Sequence, residues 1–187
     1  MSETDDSPAR STPDRILDAA ENVVSTEGGA RLTIDAVVTE SGLSKGGVLY
    51  HFPNKTALLK GMMQRMIDVF AKDLDTIRAR AETAGEPILP ALIPAIIEHR
   101  YNKPDVSMAI LAASAEQPDL LDPARAYVSE FIGRTVATCP DPTLGLIGFL
   151  ALDGLLFSRI LGLDYVTPEQ ETDIHQRLIG LMQEMYS

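Results

Sequence analysis

The sequence predicts an all-α protein of about nine helices. Three observations carry this. Apolar residues recur at helical spacing through nearly every segment. No stretch sustains the period-two alternation of a half-buried strand. Capping residues, prolines and glycines stand where such helices should start and stop.

Thr12-Pro13 reads as the first start, a capping hydroxyl followed by proline at the first helical position. Ile16, Leu17, Ala20, Val23 and Val24 follow on one face, and Gly28-Gly29 ends the helix. Thr33 caps a second helix, "IDAVVTE", with Asp35 in its first turn at the positive end of the dipole. Gly42 breaks it, Ser44 caps a short third helix, and Pro53 ends that one. Asn54 caps a long fourth helix with Leu58, Met62, Met66, Phe70, Leu74 and Ile77 along one side, running out near Gly85. Pro87, Pro90 and Pro94 punctuate the next segment, and Pro94 is expected to kink a helix or delay its start. Asp105 opens a helix to about Ala115, and Asp122-Pro123 opens another to about Thr138. An apolar helix covers 144–163, and Thr167-Pro168 with Gln170 starts the last one in capping-box style. Residues 1–11 are expected to be a disordered arm, 12–55 a small helical head, and 56–187 a larger helical domain.

Composition narrows the function. At 187 residues and 45% hydrophobic, the chain can bury a sizeable core. Its single cysteine, Cys139, excludes an internal disulfide framework and fits a reducing cytoplasm. The acidic, polar start has neither the basic nor the apolar region of a secretory signal. The run 144–163 is long enough to span a membrane, but Asp153 near its centre and Arg159 after it make that costly. Burial inside protein, between subunits included, is the better reading, and no membrane partner is expected. The net charge of −11 argues against a generic nucleic-acid coat. Yet 41–60 contains Lys45, Lys55 and Lys60 and no acid. With a screening length of about 8 Å at physiological salt, a small surface can be positive on an acidic protein.

That window, "SGLSKGGVLYHFPNK" and its flank, has the pattern of a helix-turn-helix. Residues 33–40 form the supporting helix and 45 to about 51 the recognition helix. Gly46 and Gly47 leave the backbone open to close approach by DNA. Ser44 and Lys45 stand at the helix start, and Tyr50 and His51 carry groups that reach phosphate oxygens. Lys55 lies in the first turn of the fourth helix, a natural phosphate site. Val48, Leu49 and Phe52 are read as packing residues. The pattern alone leaves a second reading open, a helical adaptor that binds protein through the same region.

Residues from about Pro13 to Lys60, "RILDAAENVVSTEGGARLTIDAVVTESGLSKGGVLYHFPNKTALL" at their heart, resemble the DNA-binding domain of the TetR family of bacterial transcriptional regulators. The run from Ser44 to Lys55 is the most specific part. The resemblance implies that Thr33, Ser44, Lys45, Gly46, Gly47, Tyr50, His51 and Lys55 meet operator DNA. The sequence departs from the family at Gly47, often threonine, and at Leu49, often tyrosine. The resemblance fades after about residue 80, where the layout of helices remains similar. It implies a repressor that binds a palindromic operator as a homodimer through its last two helices and answers a small-molecule effector.

The sequence supports the homodimer on its own terms. The segment 144–163 is apolar nearly all round, with Gly145, Gly148 and Gly154 allowing close approach, and 167–185 adds the stripe Ile174, Leu178, Leu181, Met182 and Met185. Met108, Tyr127, Phe131, Phe149 and Phe157 are the candidates to line an effector cavity, although such residues more often build plain core. Asp153 on the apolar helix needs a partner. One reading gives it a structural one, Arg134 or a hydroxyl across the dimer. The other lets it meet a lipophilic cation, with Glu98 or Glu116 beside it and the aromatics supplying cation–π contact. His51, His99 and His175 lack metal-ligand spacing, and no nucleophile or phosphate-loop motif is present. No catalytic residue, metal or cofactor is therefore expected, and Cys139 is read as structural.

Overall fold

The computed structural model describes residues 11–100, 104–163 and 166–187. The expected N-terminal arm lies, apart from Ser11, outside the described residues. Among those described, the chain is helical throughout: α1 (Thr12–Glu27), α2 (Ile34–Ser41), α3 (Lys45–His51), α4 (Lys55–Ala84), α5 (Ile88–Arg100), α6 (Pro104–Ser114), α7 (Asp122–Val136), α8 (Pro142–Ile160) and α9 (Pro168–Glu184), with 3-10 turns at Gly29–Arg31 and Pro118–Leu121.

Local capping chemistry sets most boundaries. Ser11, one residue earlier than the sequence pattern suggested, caps α1 by accepting the Asp14 N–H at 3.3 Å. Pro13 then sits in the first turn, where its missing N–H is harmless. Gly42 ends α2 at φ +67°, the left-handed conformation in which a Cβ is strained. Asn54 Oδ1 accepts the Ala57 N–H at 2.9 Å and caps α4. Asp141 accepts from Thr143 and Leu144 to open α8. Thr167 and Gln170 form a complete capping box on α9. Of the two expectations for Pro94, the delayed start does not hold, because α5 starts at Ile88 and runs through it. The buried Leu92, Ile93 and Ile96 on either side anchor the helix while one backbone bond is forgone.

The chain divides into two compact units. The first comprises Met1–Met63 with Asp105–Leu120, so α6 and the turn after it group with the head. Its fully buried residues include Ile16, Ala20, Leu32, Val37, Val48, Leu58, Met62, Val106 and Leu120. Gly61 on α4 permits a close approach, since a Cβ there would lie 2.6 Å from Phe52 Cε1 and 3.1 Å from Leu17 Cδ2. A Cβ on Gly29 would lie 2.5 Å from the Ala109 Cβ of α6. Thr56 Oγ1 also donates to Gln117 Oε1 at 2.8 Å.

The second unit comprises Gln64–Pro104 with Leu121–Ser187. Its core joins Leu74 of α4 to Leu89, Leu92, Ile93 and Ile96 of α5, Phe131 and Val136 of α7, Phe149 and Leu152 of α8, and Leu178 and Met182 of α9. Cys139 is buried at the edge of this core, as a structural cysteine should be, and accepts the Tyr186 hydroxyl at 3.5 Å. Burial, together with that bond to Cys139, pushes the Tyr186 hydroxyl up to about 12.

Gly61→Ala tests the packing of the head. A methyl on a helix normally gains up to about 1 kcal/mol over glycine, whereas overpacking costs about 1–3 kcal/mol. The variant is expected to lower the denaturation midpoint. Gly133→Ala on α7, where a Cβ meets nothing within 4 Å, is expected to raise or keep it. Equal gains at both positions would show that Phe52 does not press on α4.

Candidate nucleic-acid interface

The geometry of α2 and α3 follows from two caps and one buried valine. Thr33 Oγ1 accepts the Ala36 N–H at 3.1 Å and starts α2. Ser44 Oγ accepts the Gly47 N–H at 3.1 Å and starts α3. With 7 residues, α3 is about 10 Å long at the usual helical rise. Val48 is completely buried and holds one side of α3 against the head.

The other side faces solvent. Tyr50 is 83% exposed, and its ring meets that of His51 edge-on at 5.0 Å. A Cβ on Gly46 would meet nothing within 4 Å, so the backbone there is open to close approach. Gly47 has an additional local role, because a Cβ would lie 3.2 Å from the capping Ser44 Oγ. Leu49 corrects the expectation that it packs inside: it is 37% exposed, beside Tyr50 on the open face. Thr33, Ser44 and Lys45 are exposed as well, so α3 and the two helix starts present one polar surface.

All three lysines of the acid-free window have partners within the head. Lys45 Nζ lies 2.7 Å from Asp35 Oδ1. Lys55 Nζ donates to the Gly29 carbonyl at 3.1 Å. Lys60 Nζ lies 2.8 Å from Asp119 Oδ2, and its hydrogen bond and charge hold that carboxyl below the usual range. The sequence reading missed Asp119 because 59 residues separate the pair. It used Asp35 only as a dipole partner, although capping residues at 33 and 44 already marked the two helix starts that the fold brings side by side.

The residues proposed for an effector divide. Tyr127 and Phe131 stack with centroids 6.0 Å apart, and Phe131 meets Phe149 edge-on at 5.9 Å. Phe70 and His99, not singled out from sequence, complete this aromatic group. Phe70 lies 5.3 Å from His99, 5.9 Å from Tyr127 and 6.1 Å from Phe131. The Nε2 of His99 lies 2.9 Å from Asp73 Oδ2. Burial, followed by the nearby Asp75 charge, raises the Tyr127 hydroxyl above its usual range. Asp153 is half-buried on α8 and Glu98 is exposed on α5. Arg134, one of the structural partners considered for Asp153, lies 3.4 Å from Asp75 Oδ1. Met108 belongs to the first unit and is exposed, and Phe157 points outward from α8.

The glycines of α8 also divide. A Cβ on Gly145 would lie 3.2 Å from Cys139 Sγ, and one on Gly148 would lie 3.3 Å from Met182 Cε. These two serve packing within the chain, as does the buried Leu178, while Gly154 meets nothing within 4 Å. The outward face of α8 and its end carries Leu146, Ile147, Leu150, Phe157, Leu161 and Leu163, with Leu150 68% exposed.

Comparison with known proteins places these features in a family. Residues 16–62 match the model for bacterial regulatory proteins of the tetR family, and residues 88–183 match a tetracyclin repressor-like C-terminal domain. A search of curated proteins finds no match. Among solved structures, the chain is similar to a transcriptional regulator from Rhodococcus sp. Rha1, at 21% identity and a TM-score of 0.73, covering 93% of this chain and 97% of that one. It is similar to a TetR family member from Streptomyces coelicolor A3, at 23% identity and a TM-score of 0.69, covering 90% and 98%. It is also similar to the multidrug binding protein EbrR complexed with ethidium, at 23% identity and a TM-score of 0.66, covering 93% and 99%. With a helix-turn-helix head matching one family model and over half the chain matching the other, the chain belongs to the TetR family of bacterial transcriptional regulators.

Proposed function

We propose that this regulator is a repressor that binds a palindromic operator as a homodimer through α2 and α3 and is released by a small lipophilic effector. The observation that carries the reading is the two-sidedness of α3. Val48 is fully buried while Tyr50 stands 83% exposed, with open backbone at Gly46. A helix of this length enters a major groove by its end, with Thr33, Ser44, Lys45, Gly46, Gly47, Tyr50, His51 and Lys55 around it. Lys55 keeps two further N–H donors for a phosphate beside the Gly29 carbonyl.

The homodimer rests on α8. Among the described residues α8 is the one helix long and apolar enough to cross a membrane, and only 33% of its apolar stretch is buried within the chain. A second copy covers the exposed leucines at lower cost than a bilayer would impose on Asp153. Two heads on one duplex then read half-sites about one helical turn apart. For the effector, the group Phe70, His99, Tyr127, Phe131 and Phe149 supports an aromatic, lipophilic ligand, as does the similarity to a protein crystallised with ethidium. Asp153, with Glu98, supplies the negative charge for a cationic one. Preference of the effector for the DNA-free form by about 3 kcal/mol would shift the population more than a hundredfold.

A duplex enriched by the parent protein from a randomised library provides the operator for the tests. Tyr50→Phe and Lys55→Ala are each expected to weaken its binding by about 1–3 kcal/mol with helicity unchanged. Lys55→Ala should also lower the salt slope by about one unit. Unchanged binding by both variants across salt concentrations would remove the assigned surface.

Light scattering should give the parent a mass near twice 20.3 kDa, and Leu150→Glu a monomer with weakened binding to the enriched duplex. A parent that is monomeric at micromolar concentration would contradict the two-half-site reading. Titrating the protein–duplex complex with ethidium and with neutral planar molecules of matching size should release the parent with ethidium preferentially. Asp153→Asn should lose that preference. Equal release by both probes in the parent would overturn the cationic effector.

A further inference from the structure

The pairing of Lys45 with Asp35 assigns a role to a carboxylate on a surface that otherwise approaches a polyanion. Lys45 is the first residue of α3 and Asp35 lies in the first turn of α2. Their side chains are 59% and 76% exposed, and Nζ lies 2.7 Å from Oδ1. The ion pair therefore bridges the starts of the supporting and recognition helices, on the same side as Thr33 and Ser44.

We propose that Asp35 is a positioning residue that makes Lys45 discriminate between DNA sequences, an inference that rests on the DNA-binding reading above. Toward arbitrary DNA the carboxylate acts as an internal counterion. Lys45 releases little from the counterion atmosphere of the duplex while Asp35 neutralises it, and leaving Asp35 exposes its negative charge to phosphate. Toward a matching sequence the same carboxylate is an asset. It holds one N–H of the ammonium and directs the other two, which suit the O6 and N7 acceptors of guanine in the major groove. The other carboxylate oxygen, Oδ2, suits the N4 amino group of cytosine. The pair thus presents donor and acceptor together, the chemistry of a G·C pair, while weakening attachment elsewhere.

The test measures fluorescence anisotropy with two duplexes, the one enriched by the parent and its scrambled sequence, over a range of salt concentrations. Asp35→Asn is expected to bind the scrambled duplex several-fold more tightly, with a salt slope steeper by about 0.9. Its preference for the enriched duplex is expected to fall by about tenfold. Glu27→Gln, the same change of charge at the exposed end of α1, should do neither. In a Lys45→Ala background Asp35→Asn should change the preference for the enriched duplex much less than in the parent, leaving mainly the relief of phosphate repulsion that it brings to both duplexes. Asp35→Glu, which keeps the charge, should keep the preference and guards against a mere loss of folding. An Asp35→Asn effect that matches Glu27→Gln, or a loss of preference as large without Lys45 as with it, overturns the proposal. So does Lys45→Ala binding both duplexes as the parent does while Tyr50→Phe weakens binding, which leaves the DNA-binding reading intact. Failure of the parent to enrich any duplex would instead remove that reading, and this inference with it.

Discussion

The burial of Val48 under a capped, seven-residue helix is the constraint on which the functional surface depends. A helix this short is marginal by itself, because nucleation costs more than two turns return. Here the Ser44 hydroxyl satisfies one free N–H and Val48 anchors one face. The remaining face is left to Lys45, Gly46, Leu49 and Tyr50, none of which contributes to the buried core. Gly47 belongs to the same device, since a side chain there would press on the capping hydroxyl. Stability of the head and exposure of the candidate interface therefore come from opposite sides of the same two turns.

Charge is handled with similar economy. A chain of formal charge −11 repels DNA at distance, and the lysines of its one acid-free window are each engaged by an oxygen of the head. The exposed ion pairs of Lys45 and Lys60 are weak and screened by salt, so they yield to a better-placed anion. An acidic regulator with partnered lysines is suited to ignoring generic DNA and engaging only where geometry compensates. The Lys60 contact with Asp119 and the packing of Gly29 against Ala109 also fasten the segment Asp105–Leu120 to the head.

What could be read from sequence was local. The caps at Thr33, Ser44, Asn54 and Thr167, the breaks at Gly42 and Gly85, and the number of helices depend on residues within one turn of each other. The family resemblance extended this reading to the role of the head. Contacts between distant residues were not legible. Nothing in the spacing of Lys60 and Asp119, or of Gly29 and Ala109, announces that they meet. Nor does periodicity tell which side of an evenly apolar helix faces its own chain. Gly145 and Gly148 turned inward and Leu150 outward for that reason. Among the aromatics, Tyr127, Phe131 and Phe149 converge, but Phe70 and His99 join them from helices on which they had been read as ordinary stripe or isolated residues.

The central claim is that the exposed face of α3, together with the starts of α2 and α4, is the surface that meets DNA. Amide hydrogen exchange with and without the enriched duplex addresses it most directly. The account predicts added protection concentrated over 33–36, 44–51 and 54–57, with none of comparable size over α8. Binding that leaves 44–51 unprotected while protecting another surface would contradict it.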